Sequence, residues 1–263
     1  MKVYNDFFQL KLKTNIQYRG ALILNILFGV IPLIGYIILW NSIYNTKNTF
    51  GGFTENQMIT YYLISRIMII CITPDFQWEM NSDIRNGDII KFLVMPISYF
   101  FYRFSSHLAD VLIKLLMTIP VILIVYLFMF KRLFFSSWSC VLMFVIFLSI
   151  AIILSFLSFY LIMIASFFIV EIASLSYTFD MIVQFLSGAI LPISIFPNSI
   201  YNIIQYTPFP YIAYFPLKVF LKPLPSFEYI TAFIISIIWI FIFLILIRLF
   251  WLLGLKRFEG NES

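Results

Sequence analysis

The sequence predicts an all-α integral membrane protein with six transmembrane helices. The chain is 62% hydrophobic and only 11% charged, and its mean hydropathy is +1.00. Its apolar residues also fall into long, continuous runs. A soluble domain carries about 25% charged residues, so this composition excludes one. Lipid offers no hydrogen bonds to bare backbone, which leaves helices or a closed barrel as the only spanning structures. Runs such as residues 237–247, IIWIFIFLILI, lack the alternation of a barrel strand. Crossing the hydrocarbon core takes about 20 apolar residues. Spans are therefore expected at 21–40, 58–76, 104–130, 139–170, 174–192 and 229–253, within a single domain covering 1–263.

The first twenty residues carry Lys2, Lys11, Lys13 and Arg19 but no compact apolar core with a small-residue cleavage site, so they do not read as a cleavable signal. On a helical wheel Val3, Tyr4, Phe7, Phe8 and Leu10 share one face, and Lys2, Asp6, Gln9 and Lys13 the other. Lys11 falls on the apolar side. An amphipathic helix on the inner membrane surface, leading into the first span, is expected.

After the second span, residues 77–102 form an inner loop divided by Asn86-Gly87-Asp88. Gly87 is placed to stop one helix and Asp88 to N-cap the next. Pro96 ends that second helix, and Tyr99-Phe100-Phe101-Tyr102 re-enters the interface. The loop sets Glu79, Asp83, Arg85, Asp88 and Lys91 among Trp78, Met80, Ile84, Ile89, Ile90, Phe92 and Leu93. A lipid-bound helix would be basic on its polar face, whereas mixed charge with apolar knobs suits a protein groove. The alternative is a solvated loop with ordinary amphipathic packing.

At the inner end of the third span, Asp110 and Lys114 are spaced for a local i, i+4 ion pair, with His107 at the interface. The run from Cys140 to Val170 has no charge and exceeds one membrane thickness. One tilted or extended helix ending before Glu171 is the economical reading. After the fifth span, Gly188–Pro216 holds Pro192, Pro197, Pro208, Pro210 and Pro216 yet stays apolar between them. Such a stretch is no single helix and too apolar for a solvated loop. Short helices dipping back into the outer leaflet remain. Arg248 in the last span lies near the inner surface, as an anchor.

Orientation follows from the basic residues. With both termini inside, inner segments hold Lys2, Lys11, Lys13, Arg19, Arg85, Lys91, Arg103, Lys256 and Arg257, and outer segments hold Lys47, Lys131, Arg132, Lys218 and Lys222. Nine against five agrees with the positive-inside rule. Trp40, Trp78, Trp138 and Trp251 fall at expected span ends.

Little catalytic chemistry is available. Cys71 and Cys140 fall near opposite membrane faces, beyond disulfide reach. One histidine builds no metal cluster. Glu171 and Asp180 do not form a catalytic carboxylate pair, and no G-x-x-x-x-G-K-[ST] phosphate loop exists. No catalytic, metal-binding or cofactor-binding residue is expected, and no nucleic-acid partner.

Polar residues within spans are costly and become functional candidates. Tyr177, Asp180, Gln184, Ser187 and Gly188 share one face of the fifth span, and Tyr62, Ser65, Arg66 and Thr73 one face of the second. Arg66 and Gln184 lie at similar depth, about 12–15 Å from the inner ends. Either these stripes line a path, with Arg66 favouring anionic or amphipathic cargo, or they hold helices together, with Arg66 pairing with Asp180 or snorkelling.

These features together resemble the membrane permease subunit of bacterial ABC exporters of the type-two class. The resemblance covers nearly the whole chain. It rests on the six-span layout with its surface helix, and on DIRNGDIIKFLVMPIS after the second span. It also rests on GAILPISIFPNSIYNIIQYTPFPYIAYFP after the fifth and on the closing RLFWLLGLKRFEG. It implies a multi-pass subunit of the bacterial cytoplasmic membrane that pairs with a second copy or a related permease. Two cytoplasmic ATPases would carry the ATP and magnesium. By the same resemblance, a coupling helix at roughly Trp78–Lys91 seats in the ATPase, which makes Trp78, Glu79, Asp83, Arg85, Gly87, Asp88 and Lys91 coupling residues. Glu171 marks a smaller second contact, and the broken stretch after the fifth span caps the path, whose candidate lining is Arg66, Asp180 and Gln184. The competing classes are an ion-coupled secondary transporter working without an ATPase, which would show inverted repeats and midplane acids, and a lipid-acting enzyme, which would need clustered polar groups.

Overall fold

The computed structural model describes residues 2–46, 48–129, 133–169 and 172–260. Among them every regular element is helical, apart from an isolated bridge between Phe50 and Phe53. Glu171 lies outside the described residues. Among the described residues, three helical stretches are long and apolar enough to cross a membrane: Glu55–Arg85, Trp138–Phe167 and Ser226–Lys256.

Prolines and glycines set most of the boundaries. Helix α1 (Lys2–Gln17) is followed by α2 (Arg19–Val30) and α3 (Pro32–Tyr44). The first apolar run is thus two helices rather than one. Pro32 sits at the first position of α3 and has no N–H to continue the ladder of α2. Helix α4 (Glu55–Ile72) starts where the Thr54 N–H donates to Gln57 Oε1 at 3.0 Å. It stops at Thr73, whose backbone is extended (φ −67°, ψ 124°) ahead of Pro74. After this break comes α5 (Phe76–Arg85), then α6 (Ile89–Val94), which ends at an extended Met95 before Pro96.

Helix α7 (Tyr99–Met129) runs for 31 residues, about 46 Å at 1.5 Å per residue. Helix α8 (Trp138–Met163) opens with the Ser137 hydroxyl accepting from the Cys140 N–H and tightens into a 3₁₀ turn at Ile164–Phe167. The charge-free run is one helix with a tightened end, close to expectation. Helix α9 (Ala173–Leu186) stops short of Pro192, because Gly188 turns left-handed at φ +84°. The proline-rich stretch resolves into α10 (Asn198–Ile204) and α11 (Tyr214–Leu221) with 3₁₀ turns at Ile193–Ile195 and Phe209–Tyr211. Helix α12 (Ser226–Gly260) closes the chain.

Helix α8 is the centre of the bundle. Its Leu154, Phe156, Phe159 and Tyr160 are all but inaccessible to solvent, with α11 and α12 packed along it. Helix α1 lies along α7, and α3 along α4. Burying a large apolar side chain is worth about 1.5–3 kcal/mol, so α8 anchors the elements around it. Helices α2, α9 and α12 instead show wide apolar surfaces, with Phe28, Met181 and Phe241 each more than 60% exposed. That surface suits lipid or another chain.

Candidate functional site

Helices α5 and α6 form a small elbow beneath the bundle. Asn86 N–H closes α5 on the Ser82 carbonyl at 2.9 Å. Gly87 follows at φ +76°, the left-handed conformation that lets the chain reverse. A Cβ at Gly87 would meet nothing closer than Ile90 Cδ1 at 3.9 Å, so its backbone angle alone makes the position special. Asp88 does not cap α6: its side chain makes no cap hydrogen bond, and its backbone is already helical. Its carboxylate instead accepts from Lys91 Nζ at 2.5 Å, a pair on the exposed surface.

Arg103 is the most deeply buried cation that holds the elbow to the bundle. Arg103 on α7 is 1% exposed, and its guanidinium is ion-paired with both Glu79 and Asp83 of α5. Its Nε donates to the Tyr99 hydroxyl at 2.8 Å, and Tyr99 in turn donates to Asp83 at 2.7 Å. The guanidinium carbon also lies 5.2 and 5.1 Å from the ring centroids of Tyr99 and Tyr102, within cation–π range. A planar fork satisfying two carboxylates and a phenol is a role for arginine rather than lysine.

Helix α1 joins the same cluster. Lys11 Nζ donates to Glu79 Oε1 at 2.8 Å and stands 4.0 Å from Asp110. Asn15 donates to the Asp110 carboxylate at 2.7 Å, and the Tyr4 hydroxyl accepts from the Ser98 N–H at 2.9 Å. Burial disfavours the Lys11 ammonium, but the Asp110 and Glu79 carboxylates outweigh it and hold its pKa above the ordinary lysine value. The placement of Lys11 on the apolar side of α1 now has a reason: that side faces the carboxylates of Glu79 and Asp110.

The local pair expected between Asp110 and Lys114 does not form as drawn. Asp110 turns to Asn15 and Lys11, while Lys114 donates to the Thr73 carbonyl at 3.1 Å and pairs with Asp75 at 2.8 Å. The proline break leaves Thr73 with an unpaired carbonyl, and a cation from the neighbouring helix satisfies it. His107, expected at the membrane interface, is 1% exposed and packed between Phe76 and Phe156.

The structure divides the sequence-predicted elbow residues into two sets. Glu79 and Asp83 face Arg103, and the apolar face of α5, with Met80 and Ile84, is buried in this chain's own core, as is Ile89 of α6. Arg85, Asn86, Ile90, Lys91, Leu93, Val94 and Met95 remain exposed. Trp78 is 47% exposed and lies 5.5 Å from Tyr177 of α9, ring to ring. Beside it the Ser176 hydroxyl donates to Gln77. The start of α9 therefore rests directly on α5.

The far end of α9 is clamped by α4. The hydroxyls of Tyr61, Ser65 and Tyr62 donate to three consecutive carbonyls, Gly188 (2.6 Å), Ala189 (3.1 Å) and Ile190 (2.9 Å). These carbonyls follow the helix break, where a low-dielectric setting makes an unpaired one costly. A Cβ on Gly188 would stand 2.9 Å from Tyr214 Cβ and 3.0 Å from Ile193 Cγ1. Only glycine fits there, on grounds of both space and angle. Tyr62 and Ser65 of the polar stripe thus support the break. Arg66 is half-buried, and its electrostatic influence reaches Asp180. Asp180 accepts from Gln184 at 2.7 Å through one oxygen, while the other has no hydrogen-bond partner.

The sequence does not single out Arg103, Lys11, Asn15 or Tyr99 as site residues. One signal did point to them: the loop up to Lys91 holds three acids against two bases, and the nearest further cation is Arg103. Among the described residues no group of three or more His, Cys, Asp or Glu is arranged to hold a metal ion.

In this apolar helical bundle the ionic groups brace an elbow on one side and polar hydroxyls brace a broken helix on the other, the build of a membrane transport subunit. Comparison with protein families agrees: the model of the ABC-2 family transporter proteins matches residues 30–261, and the chain belongs to that family. It is a membrane permease of the type-two ABC class. The curated proteins contain no match to it.

Proposed function

We propose that the chain is the permease subunit of an ABC exporter, driven by separate ATPase subunits that carry the ATP and magnesium. The observation that carries this reading is the elbow itself: a short helix pair, exposed at its tip, tied to α7 by Arg103 and to α1 by Lys11. Motion imposed on the tip is conducted into the bundle, because paired carboxylates on α5 cannot shift without moving Arg103 or losing a buried ion pair. The docking surface is the α6 side, with Arg85, Gly87, Asp88 and Lys91 ringed by Ile90, Leu93 and Val94. Glu79 and Asp83 transmit the motion and do not touch the ATPase. Trp78 passes it to Tyr177 on α9, and Glu171, outside the described residues, makes the smaller second contact.

In this reading six spans cross the bacterial cytoplasmic membrane with both termini cytoplasmic. The paired helices α2 and α3 make the first, α4, α7, α8 and α9 the next four, and α12 the last. The stretch from Ile193 to Leu221 caps the outer side. Two permeases, identical or related, meet along the exposed face of α9. Arg66, Asp180 and Gln184 line the path between them, and the half-buried cation favours anionic or amphipathic cargo.

The test is contact. Val94→Cys and Lys91→Cys are expected to cross-link to the ATPase subunit in native membranes, and cysteine at Glu79 is not. Cross-linking absent from both tip positions, with an ATPase present, would reject the docking surface.

A further inference from the structure

A cavity of about 450 Å³ opens beside the elbow, between α6, the start of α7, α8 and α12. Its volume falls within the roughly 300–1,000 Å³ of small-molecule sites. The floor is aromatic and aliphatic, with Tyr99, Tyr160 and Ile247 each under 7% exposed, and the rim includes Leu93, Phe101 and Arg248. Arg248 is exposed and has neither an ion pair nor a hydrogen bond among the described residues. It stands on a helix whose neighbouring Leu244, Ile245, Leu249 and Leu252 are exposed apolar residues. A lone guanidinium on a lipid-facing surface needs an anion, and the abundant anion at that level is a lipid phosphate. Arg248 lies eight residues before Lys256, about 12 Å along the helix, where headgroups and acyl chains meet.

We propose that this cavity binds one anionic phospholipid of the leaflet on the elbow side. Its phosphate sits on Arg248 and an acyl chain fills the aromatic-floored pocket. The inference rests on membrane embedding and on the side chains around Arg248, independently of the transport reading. The bound lipid has a direct line to the elbow. Tyr99 stacks on Trp251 at 5.6 Å and also hydrogen-bonds Arg103 and Asp83. A filled pocket therefore braces the same tyrosine that orders the ion-pair node.

The experiment uses the full chain in phosphatidylcholine nanodiscs, with Trp251 as reporter through the difference between wild type and W251F. Chain-brominated phosphatidylglycerol or chain-brominated phosphatidylcholine is titrated in as contact quencher. The expected result is half-quenching of Trp251 at about fivefold lower mole fraction of the anionic lipid, the preference one basic group near the surface confers. R248K keeps that preference and R248Q abolishes it, while inorganic phosphate leaves it unchanged. Equal quenching by both lipids in the wild type would overturn the proposal without recourse to any variant. So would a preference that survives R248Q, or relief of quenching by phosphate, which would show recognition of a free anion only.

Discussion

The guanidinium of Arg103 closes on the carboxylate of Asp83, so the start of α7 lies against the C-terminal half of α5. The same guanidinium reaches Glu79 one turn earlier, and Glu79 reaches Lys11 on α1. Three elements that share no local sequence thus move as one. Removing one partner from a buried ion pair costs about 3–5 kcal/mol, and the half-exposed Glu79 argues for the lower end. Arg103→Met is expected to lower thermal stability by that order and to abolish ATPase association. Arg103→Lys retains the charge but serves only one carboxylate and recovers part of the loss. Thermal unfolding in detergent, with ATPase co-purification, reads both.

Gly87 is the position at which folding and the proposed coupling can be tested apart. Its φ of +76° is out of reach for proline, fixed near −65°. Gly87→Pro is expected to insert in the membrane normally while losing ATPase-dependent export. Gly87→Ala has room for its methyl and pays only the left-handed backbone penalty, about 1–2 kcal/mol, so export is weakened and not lost. Membrane fractionation alongside export assays distinguishes the two.

At the other end of α9, Tyr61→Phe leaves the Gly188 carbonyl without its buried donor. The expected cost is about 1–3 kcal/mol. Gly188→Ala is expected to cost more, since the added carbon meets Tyr214 Cβ at 2.9 Å and Ile193 at 3.0 Å. Comparing the melting temperatures of the two variants checks this ranking.

The proposed path makes a different demand. Arg66→Ala and Gln184→Leu are expected to lower export severalfold while leaving melting temperature and ATPase binding near wild type. Normal export from correctly folded variants would return these side chains to helix packing.

Much of the helical layout is legible in the sequence because lipid and proline act locally. Apolar runs announce helices, and Pro96 marks where a ladder ends, although the breaks at Pro32 within the first run and at Pro74 within the second are not read from the sequence. Gly87 is legible as a stop for the same reason, whereas the expected fifth span runs past Gly188 to residue 192. The ionic node was not legible, because its partners lie far apart: Lys11 and Glu79 are 68 positions apart, and Asn15 and Asp110 are 95. Spacing favoured Asp110 with Lys114, but stronger long-range partners drew them apart. The amphipathic pattern of α5 showed that one face is buried without showing against what. That face packs inward, and the tip of α6 is left for a partner.

The most direct measurement is cargo export in sealed vesicles containing this chain, with and without its ATPase subunit. The account predicts transport that requires both the ATPase and ATP and that disappears in Gly87→Pro. Transport driven by an ion gradient, with no ATPase present, would contradict it.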